Sequence, residues 1–210
     1  MEIESFQRIG KSENFRVFLN SGFKTILSSE TIIKNNLKVG TQISEEQLKQ
    51  IHIENEKNIA FDKAIKLISK VSKTEKETRE YLSQKGYLQE VVDFAVEKMK
   101  EYHYLDDYVY ACDFVSCHKQ TQGRKMLSFK LQQKGVKKEY IEKALESFSE
   151  KESAFSVAEK YMKNKPFDFK GKQKCYAYLL SKGYGYETIN NVVSKLFSGS
   201  DDDWDWYFRS

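Results

Sequence analysis

Between Phe114 and Lys138 the chain reads FVSCHKQTQGRKMLSFKLQQKGVKK, which carries Lys119, Arg124, Lys125, Lys130, Lys134, Lys137 and Lys138 and not one acidic residue. From Lys160 to Lys182 seven more lysines are opposed only by Asp168. Cations at this density suit DNA phosphates, through charge and counterion release, or an acidic protein surface. The competing reading is a solvated helix face. With about 100° of rotation per residue, Arg124, Lys125, Lys130 and Lys134 spread around much of a helix, which argues against one continuous contact stripe. A basic run with no acid at all is nevertheless unusual for a mixed solvated surface, and the functional reading is preferred. Chosen by charge and by nearness to the repeated motif described below, the candidate contacts are Lys85, Arg124, Lys125, Lys130, Lys134, Lys172, Lys174 and Lys182.

Other chemistry is weaker. Cys112, Cys117 and His118 invite a metal reading, but five helical residues separate the two cysteines by about 140°, so they do not ligate one ion together. Cys112 falls on the apolar side of its helix and reads as core. His52 and His103 belong to no zinc or catalytic spacing, and no phosphate loop, nucleophile elbow or paired-carboxylate motif is present in the sequence. Neither an enzyme nor a cofactor nor a metal is expected. Tyr81, Tyr104, Tyr108, Tyr110, Tyr176, Tyr178, Tyr184 and Tyr186 could stack on exposed bases. Packing between small helical units accounts for most of them more simply.

The elements that position these residues show themselves as a repeat. YLSQKGYLQEVVDFAV from Tyr81 returns as FKLQQKGVKKEYIEKAL from Phe129 and as AYLLSKGYGYETINNVV from Ala177. Four residues before Gly86, Gly135 and Gly183 stand Leu82, Leu131 and Leu179, and six residues after them stand Val92, Ile141 and Ile189. Upstream of each glycine lies a further apolar set at helical spacing: Phe61, Ala64, Ile65, Ile68; then Tyr108, Ala111, Cys112, Val115; then Phe155, Ala158, Met162. Each unit therefore reads as three helices, and units of this length bury their apolar faces by stacking on one another. Each glycine fits the left-handed position that closes the middle helix, since a glycine inside a helix would cost about 1 kcal/mol. Asp106 can cap the first helix of the second unit, with Asp107 favourable at its positive end.

The first forty residues differ. FRVFLNSGFKTIL places two β-rich runs around Asn20-Ser21-Gly22, a hairpin signal, and MEIESFQRI can add a strand. A short helix is expected over Ser29 to Leu37 with Ser29 as its cap, and Ser44-Glu45-Glu46-Gln47 is a capping box. The predicted fold is mainly α: three tandem three-helix repeats forming an elongated curved body, with a small N-terminal segment containing a β-hairpin. The predicted divisions are an N-terminal β/α segment at 1–55, repeats at 56–104, 105–150 and 151–199, and an acidic aromatic tail at 200–210. The net charge is +4, and the excess of cations sits in the repeats. Three cysteines and no long apolar run fit a reduced cytoplasmic protein, expected to be a monomer without membrane contact.

The stretch YLSQKGY…VVDFAVEKMKEYHYLDDYVYACDFV followed by GRKMLSFKLQQKGVKKEYIEKAL resembles the RecX regulators of the RecA recombinase. The Leu105-Asp106-Asp107 turn, the Tyr110-Ala111 helix and the Gly123-to-Gly135 helix occur in that family's order and spacing. The resemblance implies a curved helical protein that settles into the groove of the RecA filament on single-stranded DNA, without catalysis of its own. It also implies lowered ATP hydrolysis, strand exchange and coprotease activity by RecA, within recombination, DNA repair and the SOS response. Weak direct binding to single- or double-stranded DNA would follow from charge. The residues alone leave two other classes open: a free-standing nucleic-acid-binding module of helix-turn-helix-like units, and a pure protein-interaction scaffold.

Overall fold

In the computed structural model, which describes residues 1–198, the β-rich opening becomes a three-stranded antiparallel sheet. Strands β1 (Ile3–Arg8), β2 (Asn14–Leu19) and β3 (Lys24–Ser28) lie in that order, with Phe15 opposite Arg8 on one side and Leu27 on the other. Gly22 turns β2 into β3 at φ 77°, a conformation open to a residue without Cβ. Alternation puts Ile3, Val17, Leu19 and Leu27 on one face, where they pack on Leu37, Ile43, Leu48 and Ile51. Helix α1 (Ser29–Lys34) is capped by Ser28, one residue earlier than Ser29, because it is the Ser28 hydroxyl that accepts the Thr31 amide.

Helix α2 (Glu45–Ile68) opens with the complete capping box, Ser44 accepting from the Gln47 amide while the Gln47 side chain accepts from the Ser44 amide. No glycine or proline interrupts it, so it runs unbroken through residues 55 and 56, where the sequence reading set the edge of the first repeat. One helix thus serves two cores: Leu48 and Ile51 face the sheet, while Ala60 and Ala64 face the first repeat. Between them buried Asn55 locks the sheet to the helix. Its carbonyl oxygen accepts from the Ser28 amide and the Thr31 hydroxyl, and its amide donates to the Ile26 carbonyl, so each polar group there has a partner. The first repeat is completed by α3 (Glu75–Gln84) and α4 (Gln89–Glu101), whose Leu82, Val91, Val92, Ala95, Val96 and Met99 fill its core.

The chain divides into two compact units, Met1–Lys73 with Glu77–Leu105, and Thr74–Lys76 with the chain from Asp106 onward. The second unit holds two repeats. Helices α5 (Asp107–His118), α6 (Arg124–Gln133) and α7 (Lys138–Leu145) enclose Ala111, Val115, Leu127, Leu131 and Ile141. Helices α8 (Glu150–Met162), α9 (Phe169–Ser181) and α10 (Tyr186–Phe197) enclose Ala158, Met162, Cys175, Leu179, Tyr184 and Ile189. Residues 200–210, read above as a tail, lie outside the described residues.

Candidate functional site

The basic residues ride on the middle helices, so the ends of α3, α6 and α9 decide where they point. Each ends the same way. Gly86, Gly135 and Gly183 have φ of 85°, 83° and 84°. Their amides bond back to the Ser83, Gln132 and Leu180 carbonyls, and the next residues, Tyr87, Val136 and Tyr184, bond to Leu82, Leu131 and Leu179. This is the Schellman arrangement, which satisfies carbonyls the helix leaves open and pairs an apolar residue after the glycine with the leucine before it.

The same glycine turns also receive other parts of the second unit. The Thr74 hydroxyl donates to the Lys134 carbonyl at 2.7 Å, and the Lys76 ammonium donates to the Gln133 carbonyl at 3.1 Å. One repeat later the Gly123 amide donates to the Lys182 carbonyl at 2.9 Å, and the Lys125 amide to the Gly183 carbonyl at 3.1 Å. In both joints the residues that open one middle helix sit on the closing turn of the next, donors of one helix meeting carbonyls of another. A carboxylate from the first residue of α5 or of α8 completes each joint. Asp107 accepts the Glu75 amide at 2.8 Å, and Glu150 accepts the Arg124 amide at 2.9 Å and the Thr188 hydroxyl at 2.9 Å. The last middle helix has no described successor, and Asp168 caps it within its own repeat through the Gly171 amide at 2.6 Å. Asp106 accepts the Tyr108 and Val109 amides at the start of α5. Sequence reading found Asp106 and placed Asp107 at the positive, N-terminal end of α5, but missed that Asp107 accepts the Glu75 amide and Glu150 the Arg124 amide. The one signal was Thr74 and Gly123 standing at the same distance before their glycines.

The joints fix the cations differently. Arg124 is engaged: its guanidinium donates to the Phe148 carbonyl at 3.3 Å and lies over the Phe148 ring. Lys134 is half-buried with its ammonium 5.6 Å from the Tyr110 ring centre, and Lys182 likewise lies 5.1 Å from Tyr178. Tyr178 in turn stacks on Tyr161 at 4.0 Å, and Lys165 covers the Tyr161 ring. Lys125 is exposed on the side of α6 away from Leu127 and Leu131, with its ammonium 4.9 Å from the Tyr186 ring centre; Lys130 is half-buried nearer the packed side. On α9, Lys172 and Lys174 are both exposed, but Lys172 faces α10 and Lys174 the opposite flank. Within the second unit the seven candidates do not share one face. Lys85, in the first unit, is exposed beside the Tyr81 ring.

Among the tyrosines weighed for base stacking, Tyr184 is fully buried with its hydroxyl 2.8 Å from that of Ser153, and burial raises its phenol above the ordinary value. Tyr104, Tyr108 and Tyr186 are exposed. Cys112 packs half-buried against the core of the second repeat, Cys117 is exposed, and Cys175 is buried with its thiol pushed up by desolvation. His118 bonds the Phe114 carbonyl at 2.8 Å and stacks on that ring. Among the described residues no group of three His, Cys, Asp or Glu side chains could hold a metal, and no helix is long and apolar enough to cross a membrane.

Comparison with known proteins agrees with this architecture repeat by repeat. Residues 60–99 match the family model described as RecX, first three-helix domain; residues 106–145 match the second three-helix domain and residues 149–193 the third. A regulatory protein RecX from Clostridium botulinum (strain Eklund 17B / Type B) is 37% identical over 193 residues, covering 89% of this chain and 91% of that protein. Another from Clostridium perfringens (strain 13 / Type A) is 33% identical over 187 residues, covering 86% and 88%. Among solved structures, a regulatory protein RecX aligns with TM-score 0.72 at 21% identity over 94% of this chain and 98% of that one. RecX from Lactobacillus salivarius aligns with TM-score 0.63 at 22% identity over 68% and 97%. Three matched domains in order, and relatives alike over most of their length, show that this chain belongs to the RecX family of regulatory proteins.

Proposed function

We propose that this chain regulates the RecA recombinase by binding its filament on single-stranded DNA, and that it lowers the filament's ATP hydrolysis, strand exchange and coprotease activity. The observation that carries this reading is the match of all three repeats, in order, to a family of regulatory proteins. The action is steric and electrostatic, takes place in the cytoplasm and needs no catalysis by the chain itself. Lys85, Lys125, Lys172 and Lys174 are exposed and make the outward contacts, and half-buried Lys130 adds a lesser one; Arg124, Lys134 and Lys182 hold repeats and rings in place while adding to the local positive field. Direct affinity for bare DNA is weak and falls with salt, because few phosphates are met at once by cations that point several ways.

The test is single-stranded-DNA-dependent ATP hydrolysis by RecA, titrated with this chain. Hydrolysis falling at substoichiometric amounts supports the reading. Hydrolysis unchanged while bare DNA is bound tightly would replace it with a free-standing nucleic-acid module.

A further inference from the structure

Two of the three glycine turns seat another helix, and the first stands open to solvent. The α6 turn receives Thr74 and Lys76 at the Lys134 and Gln133 carbonyls, and the α9 turn receives the Gly123 and Lys125 amides at the Lys182 and Gly183 carbonyls. A Cβ added to Gly135 or Gly183 would run into those occupants, at Lys76 and Met126, whereas one added to Gly86 meets nothing within 4 Å. The backbone conformation is nevertheless the same at all three glycines. Among the described residues no hydrogen bond reaches the Lys85 or Gly86 carbonyl, and Gln84, Lys85, Gly86 and Leu88 are all exposed. Carbonyls at the negative end of a helix favour an incoming donor. Leu88 adds an apolar rim: it is 61% exposed, two residues after its glycine, where the other two repeats carry Lys137 and Gly185. That position borders the seat, since a Cβ on Gly185 would lie 3.5 Å from the Glu150 carboxylate that completes the α9 joint.

The filled seats define what fits the open one. Both occupants are the residues that lead into a helix, with a hydroxyl-bearing or small residue, Thr74 or Gly123, set on the turn. Their hydroxyl, amide or ammonium donors reach its carbonyls. The middle helices of a second copy have no such start to spare. Thr74 and Gly123 are engaged in their own joints, and Gly171, at the same distance before its glycine, is shut in by the Pro166 carbonyl and by Asp168, which accepts its amide. The occupant is therefore a helix of a different protein.

We propose that the closing turn of α3 at Gly86 is a docking seat for the opening turn of a helix in a partner protein. The partner's first amides, or a hydroxyl at its cap, donate to the Lys85 and Gly86 carbonyls, and an apolar side chain packs on Leu88. On the filament reading, on which the identity of the partner rests, that helix belongs to a RecA protomer. The contact is made by backbone carbonyls and a leucine, so it acts apart from the cations assigned above.

The test is ATP hydrolysis by RecA on single-stranded DNA, together with sedimentation of this chain with the filament. Gly86→Asn fills the seat while keeping the fold, because asparagine tolerates a left-handed φ and meets no neighbour there; its melting temperature falls by only a few degrees. Leu88→Asp, at an exposed position, removes the apolar rim. Each variant requires about tenfold more chain for the same inhibition and the same sedimented fraction, the factor expected for losing one or two hydrogen bonds or an apolar contact. Gly86→Asn changes no charge, so its salt dependence stays that of the unaltered chain. In the unaltered chain, hydrogen exchange across residues 83–90 slows on binding, a readout that needs no variant. Full inhibition by both variants, or unchanged exchange across 83–90 in the bound chain, overturns the seat and leaves the filament reading standing. An unaltered chain that neither sediments with the filament nor lowers hydrolysis overturns the filament reading, and the assignment of the seat to RecA with it.

Discussion

Replacing each repeat glycine by alanine in turn separates the two duties of these residues. All three have nearly the same positive φ, so each substitution carries the same backbone strain, roughly 1–2 kcal/mol. Their surroundings differ. A Cβ on Gly86 meets nothing within 4 Å; on Gly135 it falls 2.6 Å from Cβ and Cδ of the Lys76 side chain; on Gly183 it falls 2.5 Å from the Met126 backbone nitrogen and Cβ. Lys76 can move at some cost, whereas the Met126 backbone belongs to the first turn of α6. Displacing it disturbs the bonds from Gly123 and Lys125 to the α9 turn, each worth about 1 kcal/mol, on top of about 1–3 kcal/mol for overpacking. Gly86→Ala should thus cost about 1–2 kcal/mol, Gly183→Ala about 3–5 kcal/mol, and Gly135→Ala an amount between them. At about 2–4 °C per kcal/mol for a chain of this size, Gly86→Ala lowers the melting temperature by a few degrees and Gly183→Ala by about 10 °C or more. Thermal melts by circular dichroism read the order, and hydrogen exchange at the Gly123 and Lys125 amides localises it, with protection lost in Gly183→Ala and kept in Gly86→Ala. Three equal losses would refute this reasoning, because they would mean that the turns matter only as helix ends and not as seats for Thr74–Lys76 and for the opening residues of α6.

Three further outcomes follow from the same geometry. Glu150→Ala removes the acceptor of the Arg124 amide and Thr188 hydroxyl and should cost about 1 kcal/mol in urea unfolding, while Glu150→Gln keeps an acceptor and costs only a few tenths; equal losses would mean charge alone matters there. His52 bonds the Thr25 hydroxyl at 2.7 Å, and burial holds its imidazole below the ordinary 6.5, with the Glu56 carboxylate opposing. The unfolded chain then takes up the proton first, so stability declines as pH drops through the ordinary histidine range; His52→Gln should flatten that slope in pH-dependent melts, and an unchanged slope would contradict the assignment. In the native protein a thiol reagent should modify exposed Cys117 first and buried Cys175 only at the rate of unfolding, so rapid native labelling of Cys175 would show that the third-repeat core opens locally.

What the sequence revealed of this fold is what is local in the chain. The Leu-x-x-Lys-Gly pattern at Leu82, Leu131 and Leu179 is the Schellman closure written out in residues, and the apolar offsets after it identify the third helix of each repeat. The capping box at Ser44 was equally plain. The continuity of α2 was missed because its apolar face passes from one core to another through the polar stretch HIENEKN, although the absence of any helix breaker pointed to one helix. The caps from Asp107 to Glu75 and from Glu150 to Arg124 span 32 and 26 residues, and an N-cap signature looks only three residues ahead. The basic residues were legible as types but not as a surface. Whether a lysine points outward or lies over a ring depends on neighbours in another helix, as Lys134 over Tyr110 and Arg124 over Phe148 illustrate.

The proposed function has the three repeats seating on a RecA filament through cations of their middle helices. Electron cryomicroscopy of preformed RecA filaments on single-stranded DNA, mixed with this chain, tests it directly. On the proposed function, added density follows the filament groove or caps its end, with α6 and α9 turned toward it and occupancy lost on charge reversal at Lys125, Lys172 and Lys174. Filaments without added density, or density that persists unchanged in the charge-reversed chain, would contradict it.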